Sequence, residues 1–254
     1  FIDKEIQQQT SLTAINSINW ARLMAQVVYY FWAYLQIEQE KINFIVPSGN
    51  FGNVFSAQVA KKMGLPIQQL HITTNQNDIL HSSINNGLMK KNEVTQTYSP
   101  SMDIQISSNF ERQLFESVGR DSDIISNMFN QFSKEGAYKF DKNILEDLQS
   151  IYSSTAVSDD KTLTTIKQVK DKFNYLADPH TSTGLHVLLD KNNDQPWVSL
   201  ACAHPAKFGK AIKEATGEEP RLPKELSKLF DNEEKMTILE NNKNKLKTLI
   251  LSHI

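Results

Sequence analysis

Residues 42–64 constrain the fold more than any other stretch, because three structural patterns follow one another there without a linker. Ile42-Asn43-Phe44-Ile45-Val46-Pro47 is a β-branched and aromatic run of the length of a buried strand. Ser48-Gly49-Asn50-Phe51-Gly52-Asn53 has the composition of a tight turn, and Val54, Phe55, Val59 and Met63 then recur at helical spacing until Gly64, a helix stop. A strand, a glycine loop and a helix in that order leave the first N–H groups of the helix without intrahelical partners. The two glycines beside them let an anion approach the main chain. The loop therefore has the build of a phosphate site. A second reading stays open on spacing alone, since the loop is neither a Walker loop nor the dinucleotide fingerprint, and glycine at such a turn also serves the backbone only. Residues 67–72 read as a second strand after Gly64-Leu65-Pro66, which makes 42–72 a parallel β-loop-α-β unit. The ligand crevice of such sheets lies at the carboxyl ends of the strands, where residues 48–53 fall.

Composition narrows the function classes. The chain has 254 residues, 39% hydrophobic and 22% charged, enough to bury one sizeable core or two lobes. With 27 basic against 29 acidic residues and a net charge of -2, it offers no broad positive field, so no nucleic-acid partner is expected. No membrane partner is expected either: the most apolar helical stretch, near 21–35, is interrupted by Arg22 and Gln26 and falls short of the about 20 apolar residues a span needs. A single cysteine, Cys202, excludes an internal disulfide, and with no visible signal peptide the setting reads as reducing and cytoplasmic. No Cys/His cluster has metal-ligand spacing and no serine elbow is present, so neither metal nor triad chemistry is expected.

Elsewhere, Ile15, Ile18, Leu23, Met24, Val27, Val28 and Phe31 predict a long helix over about 11–36 with Ser11 as its cap, which places Asn16, Asn19 and Arg22 on one side. Residues 73–87 are turn-rich, with a short helix near 79–80. Ser108 and Glu111 have capping-box spacing and predict a helix over 109–118. Further helices are predicted near 123–134 up to Gly136, near 142–152, and near 160–172 behind Ser158-Asp159-Asp160. Asp178-Pro179 opens another, carrying Leu185, Val187, Leu188 and Leu189. Residues 197–202 read as the last strand, broken by Ala203-His204-Pro205, and the tail from Lys224 reads as a solvated, Lys/Glu-rich helix.

Ser48-Gly49-Asn50-Phe51-Gly52-Asn53 resembles the cofactor-phosphate loop of threonine synthases, fold-type II enzymes that use pyridoxal 5′-phosphate. Four more segments resemble that family in the same order: the run from Asn16-Ser17-Ile18-Asn19-Trp20-Ala21-Arg22 on to Tyr30, Met102-Asp103-Ile104-Gln105-Ile106-Ser107-Ser108-Asn109-Phe110-Glu111-Arg112, Asp178-Pro179-His180-Thr181-Ser182-Thr183-Gly184, and Ala203-His204-Pro205-Ala206-Lys207-Phe208. The resemblance covers about Thr10 to Phe208 closely and the tail loosely. It implies an α/β fold, a fold-type II large-domain portion with a parallel sheet flanked by helices. Residues 1–210 would belong to the pyridoxal-phosphate-binding catalytic domain, with helical insertions near 109–175, and 211–254 would be a helical tail packed on the body.

The activity implied is conversion of O-phospho-L-homoserine and water into L-threonine and phosphate, the last step of threonine biosynthesis. In that reading the backbone donors of Gly49, Asn50, Phe51, Gly52 and Asn53 hold the cofactor phosphate. Cys202 stands where the family usually has threonine and meets the pyridine nitrogen with a weaker hydrogen-bonding group than a hydroxyl. His180, Thr181, Arg112 and Lys207 are candidates for the substrate's anionic groups. On the residues alone, Cys202 reads equally as a small buried thiol, His180 as a neighbour of a helix cap, and Arg112 and Lys207 as surface salt-bridging groups. The family's Schiff-base lysine lies in a Phe-Lys-Asp-type segment that this sequence lacks. It is expected upstream of Phe1, and the chain reads as a C-terminal portion that is inactive by itself. Two alternatives remain: another fold-type II pyridoxal-phosphate lyase, against which the Asn-Ser-Ile-Asn-Trp and Ala-His-Pro-Ala-Lys-Phe segments speak, and a noncatalytic phosphate-ligand-binding protein.

Overall fold

A computed structural model describes residues 2–191 and 195–254. In chain order its helices are α1 (Lys4–Gln9), α2 (Trp20–Leu35), α3 (Gly52–Lys62), α4 (Ile79–Asn86), α5 (Phe110–Ser117), α6 (Ser122–Glu135), α7 (Lys142–Ile151), α8 (Asp159–Phe173), α9 (Pro179–Leu189), α10 (Gly209–Thr216) and α11 (Lys243–Leu251). Its strands are β1 (Ile42–Pro47), β2 (Ile67–Thr74), β3 (Leu88–Lys90), β4 (Ala137–Lys139), β5 (Tyr152–Ala156) and β6 (Trp197–Ser199). Contacts divide the chain into two units, Ser17–Arg221 and Phe1–Asn16 with Leu222–Ile254. In the smaller unit Lys247 pairs with Asp3 and Glu5 at 3.1 and 2.6 Å, tying α11 to the start of α1 through partly exposed ion pairs of small individual worth.

The larger unit is organised on a four-stranded parallel sheet in the order β5-β2-β1-β6. In its register Phe44 lies opposite Leu70 on one side and Val198 on the other. All six residues of β1 are buried, as a parallel strand covered on both faces requires. α2 packs on α3, and α9 lies against β1 and β2. That last approach depends on Gly184, where a Cβ would come within 3.0 Å of Pro47 Cγ and would collide with Ser199 Oγ. The core is aromatic beside the sheet: the Phe51 ring sits 5.0 Å from Phe110 and 5.4 Å from Tyr152, all three buried. β3 and β4 form a separate antiparallel pair. Among the described residues no helix is long and apolar enough to cross a membrane.

β1, α3 and β2 occupy the expected β-loop-α-β unit. The helix predicted over 11–36 begins only at Trp20, because Asn19 rather than Ser11 caps it, its Oδ1 accepting the Ala21 N–H at 3.0 Å; Ile15 and Ile18 stay exposed. α5 is present, but the capping box at Ser108 is not made. Its N-cap residue is Asn109, whose side chain turns instead to the carbonyls of Ser17 and Asn50. β5 is a strand the sequence reading missed, since a helix, not a strand, had been placed up to residue 152, and Ser153-Ser154-Thr155 is too polar to show strand periodicity. β6 ends at Ser199, so Cys202 lies three residues beyond the strand rather than inside it. The tail is not one helix: Pro223 and Asn232 are extended, with ψ of 145° each, and α11 starts only at Lys243.

Candidate functional site

The loop between β1 and α3 is held by its carbonyls. Ser107 Oγ donates to the Gly49 carbonyl at 2.8 Å, and the Asn109 backbone and side-chain N–H groups donate to the Asn50 carbonyl at 3.0 and 3.2 Å. In a trans peptide the N–H points opposite to the preceding carbonyl, so anchoring the Gly49 oxygen turns the Asn50 N–H the other way. Among the described residues the N–H groups of Gly49, Asn50 and Asn53 have no protein acceptor. These three are the available anion donors, and they stand at the positive end of α3. The other two expected donors are used internally: Phe51 N–H goes to Ser48 Oγ at 3.1 Å and Gly52 N–H to Asn50 Oδ1 at 2.9 Å. The Phe51 side chain is core, reached through a left-handed backbone with φ 64°. Tyr30 of α2, fully buried, places its Oη 2.8 Å from both the carbonyl and Oδ1 of Asn53.

The loop opens on a cleft of 230 Å³, whose walls come from Arg22 and Gln26 of α2, from Ser101 and Met102, from His180, and from Cys202, Lys207 and Phe208. The cleft sits at the carboxyl ends of β1 and β6, as the parallel topology requires. A larger groove of 810 Å³ lies beside the edge strand β6, lined by Leu185, Leu188 and Trp197 among others. Its Lys172 and Lys191 sit over the Phe173 and Trp197 rings.

One buried carboxylate joins two walls of the smaller cleft, the start of α9 and the Cys202–Ala203 turn. Asp178 Oδ1 accepts from His180 N, His180 Nδ1 and Thr181 N at 2.9, 3.0 and 3.4 Å, and Oδ2 accepts from Ala203 N at 3.2 Å and from the Thr181 hydroxyl. Burial pushes this carboxyl up, but the hydrogen bonds from His180 and Thr181 outweigh it and hold it below its ordinary value. Thr181 Oγ1 in turn accepts the Cys202 N–H at 2.8 Å. The Cys202 side chain faces the open cleft while protein crowds it from behind; that burial, then the Asp178 charge, pushes the thiol up to about 12.

Of the candidates, Gly49, Asn50, Gly52, Asn53, Cys202, His180 and Lys207 line one cleft. Arg112 does not. Its Nε donates to Asn109 Oδ1 at 3.1 Å and its Nη2 to the Ile18 carbonyl at 2.9 Å, so the guanidinium braces α5 against the start of α2. Thr181 is 3% exposed with its hydroxyl committed to Asp178 and Cys202. His180 is at the wall, yet both ring nitrogens bond to protein. The sequence reading missed Gln26, Ser101, Asn109 and Tyr30. Only Gln26 carried a signal, standing one helical turn after Arg22.

A family model described as threonine synthase, C-terminal, matches residues 181–250. A threonine synthase from Pseudomonas aeruginosa is 40% identical over 258 residues, covering 100% of this chain and 55% of the relative. A crystal structure of PLP-bound threonine synthase from Brucella melitensis superposes with a TM-score of 0.94 at 44% identity, over 99% of this chain and 55% of that one. The yeast threonine synthase structure gives a TM-score of 0.87 at 37% identity, over 95% of this chain and 54% of that one. The chain thus spans about half the length of the relatives it matches. Over that half the α/β arrangement, a parallel sheet flanked by helices, superposes on that of these threonine synthases, and nearly every residue of the chain falls within the similarity to them.

Proposed function

We propose that this chain supplies the cofactor-phosphate site and part of the substrate site of a threonine synthase, which converts O-phospho-L-homoserine and water into L-threonine and phosphate. The observation that carries the reading is the set of three N–H groups, from Gly49, Asn50 and Asn53, that have no acceptor among the described residues and stand at the start of α3 on one cleft with Cys202 and Lys207. Such a donor set fits the phosphate of pyridoxal 5′-phosphate, because main-chain N–H groups and a helix N-terminus stabilise a dianion without a nearby lysine or arginine. When bound, the cofactor supplies the electron sink for breaking bonds of the amino-acid substrate.

The chain's own residues hold and orient. Cys202, a neutral thiol whose ionisation burial makes harder still, is the group assigned to the pyridine nitrogen, and an un-ionised partner does not favour a charged ring as a carboxylate does. Lys207 and Arg22 are the cations of the cleft and are assigned to the anionic groups of the substrate, Lys207 as a point charge and Arg22 for its planar fork. This replaces Arg112 in that role. No residue here is assigned as the lysine that carries the cofactor. The setting we assign is cytoplasmic, supported by the single cysteine.

Phosphate release tests the reading. A protein that joins this chain to the remaining length found in its relatives is expected to release phosphate from O-phospho-L-homoserine and to form threonine, with no ammonia from serine or threonine. The 254-residue chain alone is expected to release none. Turnover by the chain alone would show that a lysine of this chain carries the cofactor, and ammonia release from serine in place of threonine formation would assign a different lyase reaction.

A further inference from the structure

We propose that His180 is a positioning residue that takes no anion itself and instead clasps the Ser101–Met102 wall of the cleft to the start of α9. Its Nε2 accepts the Ser101 backbone N–H at 3.1 Å, from a residue 79 positions away in the chain. Only a ring nitrogen without a proton accepts an N–H, so the ring proton sits on Nδ1, which donates to Asp178 Oδ1 at 3.0 Å. Both polar edges of the imidazole are engaged inside the protein, and the residue is 4% exposed. The ring packs against Phe208 in a tilted pair, 4.8 Å between centroids at 53°.

The clasp reaches the anion loop through the next residue. Met102 Cα is the atom that a Cβ on Gly49 would meet at 3.0 Å, so the wall His180 holds is the wall that presses on the loop. The same ring, through Phe208, backs the segment that carries Lys207. Losing the Nε2 acceptor frees Ser101 and lets this wall move away from Gly49, while the loop's own hydrogen bonds to Ser107 and Asn109 stay in place. The consequence for cofactor binding rests on the function proposed above; the clasp does not.

The test uses the ¹⁵N-labelled chain. At pH 7.5 the His180 ring is expected to show a protonated Nδ1 and a bare Nε2. The Ser101 amide is expected to exchange at least about tenfold faster in His180→Phe, which keeps a ring against Phe208 but no acceptor, and to return to within about threefold in His180→Gln, whose side-chain oxygen restores one. That factor corresponds to one hydrogen bond of ordinary net strength. Affinity for pyridoxal 5′-phosphate is expected to follow the same order: about tenfold weaker in His180→Phe, within about threefold in His180→Gln. A proton on Nε2, or Ser101 exchange indifferent to His180→Phe, would overturn the proposal. If wild type and variants alike fail to bind pyridoxal 5′-phosphate, the cofactor reading falls, and the clasp is decided by exchange and ring nitrogens. If His180→Phe does not fold, the ring nitrogens of the wild type decide alone.

Discussion

Replacing Asp178 with alanine is expected to cost the larger unit about 3–5 kcal/mol of stability, the sum of a lost helix cap and several buried donors left without an acceptor. Asp178 is 1% exposed, and its two oxygens accept from His180, Thr181 and Ala203. Three effects act together. The N-cap of α9 is lost, worth about 1 kcal/mol. Buried donors on Thr181 and His180 lose their acceptor, and the turn carrying Cys202 and Ala203 comes away from α9. Asp178→Asn keeps one acceptor oxygen but points an NH₂ group at donors, so an intermediate loss is expected.

The effect has a pH signature. The folded carboxyl lies below its ordinary value, so its contribution is fully present above about pH 4, the unfolded value, and is lost as pH falls through the lower folded value. Urea unfolding of wild type and Asp178→Ala at pH 7 and at pH 3 is expected to show a gap that narrows in acid. A loss under about 1 kcal/mol at pH 7 would mean that the carboxylate ties nothing together.

Replacing Gly49 with valine is the second large expected effect, and its cause differs from a simple collision with an anion. A Cβ at this position would stand 3.0 Å from Met102 Cα and 3.2 and 3.3 Å from Ile104 Cδ1 and Cγ1. The nearest of these is backbone and has little room to yield, so an alanine already strains the contact and the branched valine strains it further. We expect a loss of about 1–3 kcal/mol in urea unfolding without any ligand, together with at least about tenfold weaker binding of pyridoxal 5′-phosphate. Wild-type stability in Gly49→Val would show that the 102–104 segment is free to move off the loop, contrary to the packing.

How much was legible in advance follows from how local each signal is. β1, α3 and β2 were legible because their periodicities switch within 42–72 and each element needs only its own neighbours to declare itself. The start of α9 was legible from Asp178-Pro179, a cap and a first-turn proline. The partners of Asp178 and His180 were not, since Ser101 and Ala203 are 79 and 25 residues away and a backbone N–H leaves no trace in composition. The partner of Arg112 was hidden for the same reason: the Ile18 carbonyl that takes its guanidinium is 94 residues distant. Ser108 and Glu111 matched a cap by spacing, but tertiary contacts draw Asn109 to the loop carbonyls and move the helix start by one residue. The family resemblance placed Cys202 and Lys207 at a site before any contact between distant segments was known, and both do line the cleft.

The central claim is that the amides of Gly49, Asn50 and Asn53 receive a phosphate group. It is tested most directly by following backbone amide resonances of the ¹⁵N-labelled chain during titration with pyridoxal 5′-phosphate and, separately, with pyridoxal. We expect the amides of Gly49, Asn50 and Asn53 to shift saturably with the phosphorylated compound and to stay in place with the unphosphorylated one. Saturable shifts centred elsewhere, with these three amides unmoved, would contradict the assignment of the cleft.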